Sequence, residues 1–155
     1  MTSALTFRIG TKDDLPAIVA MLADDALGSG REIATDPLPA SYINAFEAMQ
    51  RQGGNDLLVG ELHDEIVACL QLILLPGISM QGATRAQIEG VRVASDKRGQ
   101  GYGEALVRES MRRAKLAGCT VMQLSSHHTR TDARRFYERL GFTASHIGMK
   151  AKLTD

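Results

Sequence analysis

Between Val91 and Leu106 the chain reads Val-Arg-Val-Ala-Ser-Asp-Lys-Arg-Gly-Gln-Gly-Tyr-Gly-Glu-Ala-Leu. A short β-branched run ends, a turn follows, and Gly99, Gly101 and Gly103 stand two apart before an amphipathic helical pattern begins. Glycines at a strand-to-helix turn let backbone N–H groups come close to a ligand, because no Cβ stands in the way. The helix behind them points its positive dipole end at the same spot. A chain built around this segment must therefore set a strand and a helix on either side of an anion site, and the usual anion is a phosphate.

The spacing narrows the choice of ligand. A P-loop would read G-x-x-x-x-G-K-[ST], and no such string exists in the chain. A dinucleotide fingerprint needs G-x-G-x-x-G, and position 104 is Glu104. The string that does fit is Arg98-x-x-Gly101-x-Gly103, five residues after Val93 at the end of a predicted strand. That combination resembles the pyrophosphate-binding motif of the GCN5-related N-acetyltransferases, the GNAT family. A plain helix start with flexible glycines is the competing reading of the glycines alone.

Read along the chain, Leu5 to Ile9 predicts a first strand. Thr11 predicts an N-cap for a helix running to about Leu27, with Leu15, Ile18, Val19 and Leu22 on one side. A loop over 28–39 leads to a second helix from Ser41 to about Gln52, stopped by Gly53-Gly54-Asn55. Strands follow over Asp56–Leu62 and Glu65–Leu75, with His63-Asp64 as the hairpin turn, and a fourth spans Thr84–Val93. A helix over Gly101–Ala117 ends at Gly118. Thr120–Ser125 predicts a fifth strand. Thr131 or Asp132 predicts the cap of a helix ending at Gly141, and Phe142–Leu153 alternates weakly enough to suggest one or two last strands. The class is mixed α/β or α+β. The order resembles the GNAT fold across nearly the whole chain. That resemblance implies a mostly antiparallel sheet, a splayed parallel pair at strands 4 and 5 with the cofactor in the gap, and about four flanking helices.

At 155 residues the chain suits one domain, residues 1–155. Lys plus Arg equals Asp plus Glu, 18 each, so nothing draws it generally to nucleic acid or to anionic lipid. Cys69 and Cys119 have no C-x-x-C partner and read as free thiols of a reducing compartment. The start Met-Thr-Ser-Ala-Leu-Thr-Phe-Arg lacks the basic, then apolar pattern of a signal peptide, and no apolar run is long enough to span a membrane. The expectation is a cytoplasmic protein without metal, since paired His127 and His128 lack a third ligand at metal spacing.

The family resemblance implies roles residue by residue. Backbone amides over Arg98, Gly99, Gln100, Gly101, Tyr102 and Gly103 would hold the pyrophosphate of acetyl-coenzyme A. Val91 and Val93 would offer backbone groups to the pantetheine arm, as a peptide adds to a sheet edge; as side chains they read equally as core. Phe136-Tyr137-Glu138-Arg139-Leu140-Gly141-Phe142 is similar to the family's closing motif. Tyr137 would then be the general acid for the departing thiolate, against the alternative of a core tyrosine. Glu89 is the candidate base for the amine, against a solvated charge or a partner for Arg92 or Arg85; His127 is an alternative base. Many members carry Asn at the position of Arg130, which puts that pantetheine contact in doubt. The activity so implied is acetyl transfer from acetyl-coenzyme A to a primary amine of a small molecule or protein, by direct attack in a ternary complex. Transfer of another acyl group, another acceptor, or non-catalytic sensing of acetyl-coenzyme A are the alternatives. Many relatives dimerise, so a homodimer is open.

Overall fold

The structure is a computed structural model and describes residues 4–155. Five strands lie side by side in chain order: β1 (Thr6–Ile9), β2 (Asn55–Leu62), β3 (Glu65–Pro76), β4 (Thr84–Val93) and β5 (Val121–Gln123). The first four are antiparallel, and β5 runs parallel to β4. Helices α1 (Leu15–Ala23) and α2 (Ala40–Gln52) precede β2. A four-residue turn, α3 (Ser79–Gly82), joins β3 to β4, while α4 (Tyr102–Leu116) and α5 (Thr131–Arg139) flank β5.

Alternation along the strands sorts the core into two layers. Leu58, Leu70, Ile88, Leu106 and Val107 are fully buried on the side of α4 and α5. Leu57, Val59 and Cys69 point the other way, onto Leu15, Ile18 and Met21 of α1 and Phe46 of α2. Each such aliphatic side chain contributes about 1.5–3 kcal/mol by leaving water. Between β2 and β3, His63 and Asp64 both take positive φ, 53° and 62°, as a two-residue hairpin turn requires. Among the described residues no helix is long and apolar enough to cross a membrane.

The strand carrying the candidate site is not regular. Cys69 of β3 faces Arg92 and Gln71 faces Glu89, so Leu70 alone opposes both Gly90 and Val91. This is a β-bulge, and Gly90 takes the positive φ of 59° that it demands. The bulge reverses the parity of β4. Ala86 and Ile88 before it, and Val91 and Val93 after it, all pack on the α4 layer. Ala94, one residue past the strand, packs on the α1–α2 layer.

Several expectations are corrected. The first helix stops at Ala23 rather than Leu27, because the Asp25 carboxylate takes the N–H groups of Leu27 and Gly28 and folds the chain into a turn. Arg130, not Thr131 or Asp132, occupies the N-cap position of α5. β5 is shorter than Thr120–Ser125. Phe142–Leu153 forms no strand: it has no neighbour to pair with, and residues 143–155 are all exposed. The short turn α3 carries left-handed dihedrals at Met80 and Gln81 that no periodicity signals.

Candidate active site

β4 and β5 are in register at Arg85–Val121, Ala86–Met122 and Gln87–Gln123 and nowhere beyond. From Ile88 onward the edge of β4 on that side is open. The Ala94 N–H bonds across to the Val67 carbonyl of β3 at 2.8 Å. Backbone direction alternates along a strand, so Val91 and Val93 turn their N–H and C=O groups away from β3, into the gap. Two arginines meet their carbonyls there. Arg92 Nη1 donates to the Val91 carbonyl at 2.9 Å and Arg98 Nε to that of Val93 at 3.2 Å.

The gap opens into a cleft of about 430 Å³ lined by Val91, Arg92 and Val93 of β4, by Lys97, Arg98, Gly99 and Gly101 to Glu104 of the turn and helix start, and by Arg130, Ala133, Phe136, Tyr137 and Arg139 around α5. Gly101 takes φ 84° as the N-cap of α4, and no side chain caps that end. Its surroundings are open, with no heavy atom within 4 Å of where a Cβ would sit. The first N–H groups of a 15-residue helix are thus presented to the cleft without a partner. Gly103 works differently. A Cβ there would lie 3.3 Å from Val93 Cγ2 and 3.6 Å from Phe136 Cζ, so this glycine lets α4 close onto β4 and α5. Lys97, Arg98, Arg130 and Arg139 surround the cleft against a single carboxylate, Glu104, although the whole chain has zero formal charge. The arrangement suits an elongated, multiply anionic ligand.

Tyr137 sits half-buried in the same lining. Its ring meets Phe136 and Phe142 edge-on, at centroid distances of 5.0 and 5.6 Å. Burial raises its phenol above the usual value near 10, while the charges of Arg92 and Arg130 pull the other way. At neutral pH it is a proton donor.

A model of the acetyltransferase (GNAT) family matches residues 20–142. The chain belongs to that family. Among solved structures this acetyltransferase is similar to a transcriptional regulator from Bacillus halodurans C-125, with 47% identity, a TM-score of 0.93, and 97% of this chain and 100% of that chain covered. It is also similar to a putative acetyltransferase from Agrobacterium tumefaciens (24% identity, TM-score 0.82, 95% and 99% covered) and to an acetyltransferase from Trypanosoma brucei (26%, 0.77, 97% and 100%). No curated protein matches the sequence.

Of the sequence-derived site residues of this acetyltransferase, Val91, Val93, Arg98, Gly99, Gly101, Tyr102, Gly103 and Tyr137 come together around the cleft. Gln100 does not line it, and its side chain turns back to the Asp96 carbonyl at 3.4 Å. Glu89 also lies outside the lining, exposed, accepting from Gln87 Nε2 at 2.6 Å. By the parity change at Gly90 it shares the face of Arg92, on the α1–α2 side, and not that of Val91. His127 and His128 stack at 4.5 Å on the surface. Among the described residues no group of three or more His, Cys, Asp or Glu side chains could hold a metal ion.

Sequence reasoning missed the cluster at the other end of the site. Asp25, in the turn after α1, pairs with Arg92 at 3.0 Å and Arg130 at 2.7 Å. Burial opposes its charge, but the Gly28 N–H, the Arg130 hydrogen bond and the two guanidinium charges outweigh that and hold its pKa at about 2. Beside it a second hollow of about 290 Å³ shares Val91, Arg92, Val93, Arg98 and Arg130 with the cleft. Arg92 Nε is buried there without any partner. An isolated Asp in a polar loop gives no local signal of such pairing.

Proposed function

We propose that the protein transfers an acetyl group from acetyl-coenzyme A to a primary amine on a small molecule or protein. The observation that carries this reading is that the open amides at Gly101 and the protonated hydroxyl of Tyr137 share one cleft. The residues fit the donor. Free N–H groups at the start of α4, with Arg98 and Lys97 beside them, suit a pyrophosphate. The backbone N–H groups of Val91 and Val93, turned into the gap, suit the amide-rich pantetheine arm. A solved protein from Clostridium acetobutylicum of 15% identity carries acetyl-CoA on a similar fold.

In the reaction the amine nitrogen attacks the thioester carbonyl carbon, the C–S bond breaks, and the sulfur takes a proton from Tyr137, which recovers one from solvent. The amine loses its own proton to a base. Glu89 is our choice, reached through water, since it is exposed on the face where the α1–α2 loop approaches β4. No covalent enzyme intermediate is needed. Cys69 is buried with its thiol pushed up to about 12, chiefly by burial. The two unpaired thiols fit a cytoplasmic protein.

The name of the Bacillus relative favours a second reading, a regulator that binds acetyl-coenzyme A without turnover. Calorimetric titration with acetyl-coenzyme A, with Gly101→Glu alongside, tests the donor. Release of free thiol across an amine panel tests the transfer. Saturable binding lost in the variant, with amine-dependent thiol release, is expected. Binding without thiol release from any amine favours the regulator, and absence of binding by the wild type overturns the donor assignment.

A further inference from the structure

The smaller hollow holds more positive charge than its own lining balances. Arg92, Arg98 and Arg130 face it with a single carboxylate, that of Asp25. That carboxylate is already committed. Its Oδ1 accepts from the Leu27 and Gly28 N–H groups, and its Oδ2 serves both Arg92 and Arg130. Four donors around one carboxylate fill its capacity. Asp24 answers Arg98 only from outside the lining, with its carboxylate 55% exposed and 3.8 Å away. The Arg92 side chain is 13% exposed, and its Nε is buried without a partner. A water can accept from one N–H, but it balances no charge. A buried cation with a spare donor is matched by an incoming anion.

The hollow lies away from the amides that suit the pyrophosphate. Those open at the start of α4, and the Val91 and Val93 side chains pack toward that layer. Arg92 takes the opposite face of β4, on the side of α1 and α2, and Glu89 shares that face. Asp25 closes over Arg92 from the turn after α1, and Arg130 from the N-cap of α5. Along the strand Glu89 and Arg92 stand about 10 Å apart at most. A carboxylate at one point and a guanidinium fork at the other can hold the two ends of a short molecule. The volume of about 290 Å³ is near the lower end of ligand sites, which run from about 300 to 1,000 Å³. It suits a small molecule, not the surface of a protein.

Resting on the acetyl-transfer reading, we propose that the acceptor is a small molecule with a primary amine and an oxyanion, carboxylate or phosphoryl, on one short chain. Arg92 and Arg130 hold the oxyanion, and the amine lies toward Glu89. Planar guanidinium groups suit this task, because each can grip two oxygens at once. The oxyanion takes no part in the bond changes. It fixes where the amine stands when the nitrogen attacks the thioester carbon and the thiolate leaves.

Thiol release from acetyl-coenzyme A is measured with β-alanine, 2-aminoethyl phosphate, neutral ethanolamine and a capped lysine peptide. At least one anionic amine should exceed ethanolamine in kcat/KM by about 30-fold or more. The leading one tells carboxylate from phosphoryl. In Arg92→Gln that ratio should fall toward unity. Arg130→Gln, at a less buried position, makes the same test should the first variant fail to fold. Ethanolamine or the peptide turned over as well as the anionic amines overturns the proposal and leaves acetyl transfer standing. So does inhibition by inorganic phosphate that competes with acetyl-coenzyme A alone, which gives the arginines to the donor. Should no amine release thiol, the acetyl-transfer reading falls, and calorimetry with the two anionic amines on the enzyme alone decides the hollow. Saturable binding lost in the variants then supports the oxyanion site, and no binding overturns it.

Discussion

Arg130 and Asp25 are 105 residues apart in the chain and meet at 2.7 Å. The contact ties the turn after α1 to the loop before α5, and the Arg92 guanidinium of β4 joins the same carboxylate oxygen at 3.0 Å. Three separate walls of the site are fastened at one atom. Replacing Asp25 by Asn leaves two guanidinium groups without their counter-charge in partly buried positions. A loss of about 2–3 kcal/mol in unfolding free energy is expected, read by denaturant titration.

The same residue sets an acid limit. Because the Asp25 pKa is lowered to about 2, its contribution is complete above the unfolded value near 3.8 and is lost as pH falls through about 2. Asp14, bonded to Arg8, and Glu109, bonded to Arg112 and Arg113, are also lowered to about 2. Thermal stability should thus be flat from neutral pH to about 5 and fall below that. The Asp25→Asn protein should show a shallower fall, and an equal slope would remove Asp25 from the explanation.

Tyr137→Phe keeps both edge-on ring contacts and removes only the hydroxyl. We expect acetyl-coenzyme A binding and melting temperature to hold while kcat falls by about 10²-fold. The raised phenol pKa means that the acid form persists past pH 10, so no alkaline fall in rate from this group should appear below that. An unchanged kcat would return Tyr137 to a packing role.

Glu89→Gln separates base from bystander. The side chain is exposed and bonds only to Gln87, so stability should change by less than about 0.5 kcal/mol. As the base, its loss should lower kcat/KM by about 10²-fold at neutral pH, with partial recovery as pH rises and the free amine form of the acceptor grows.

The two thiols should react unequally. Cys69 is buried on β3 and pushed up to about 12, whereas Cys119 is partly exposed and raised less. One equivalent of alkylating reagent should enter the native protein, at Cys119, and a second only on unfolding; mass spectrometry reads both sites.

Much of this fold can be read from local pattern. The bounds of β4 at Thr84 and Val93 are marked by β-branched alternation and by the glycine turn, and the His63-Asp64 hairpin follows from its two-residue spacing. The glycine turn and Tyr137, which line one cleft, stand out in the sequence because each sits in a short local motif. What escaped is long-range. The Asp25 cluster depends on pairing across the chain. The segment 145–153 has the alternation of a strand, but alternation specifies a face to bury and does not by itself form a strand.

The bulge at Gly90 divides β4 into two reading frames. Upstream, the strand keeps step with β3 and β5 and serves the sheet; downstream, the same alternation is counted from a new origin and serves the cleft. Substitutions before Gly90 can therefore adjust the scaffold without rotating Val91, Arg92 and Val93. Were the bulge closed with Gly90 kept as an ordinary strand residue, the roles of all three would exchange, sending the arginine into the core and the valines toward Asp25.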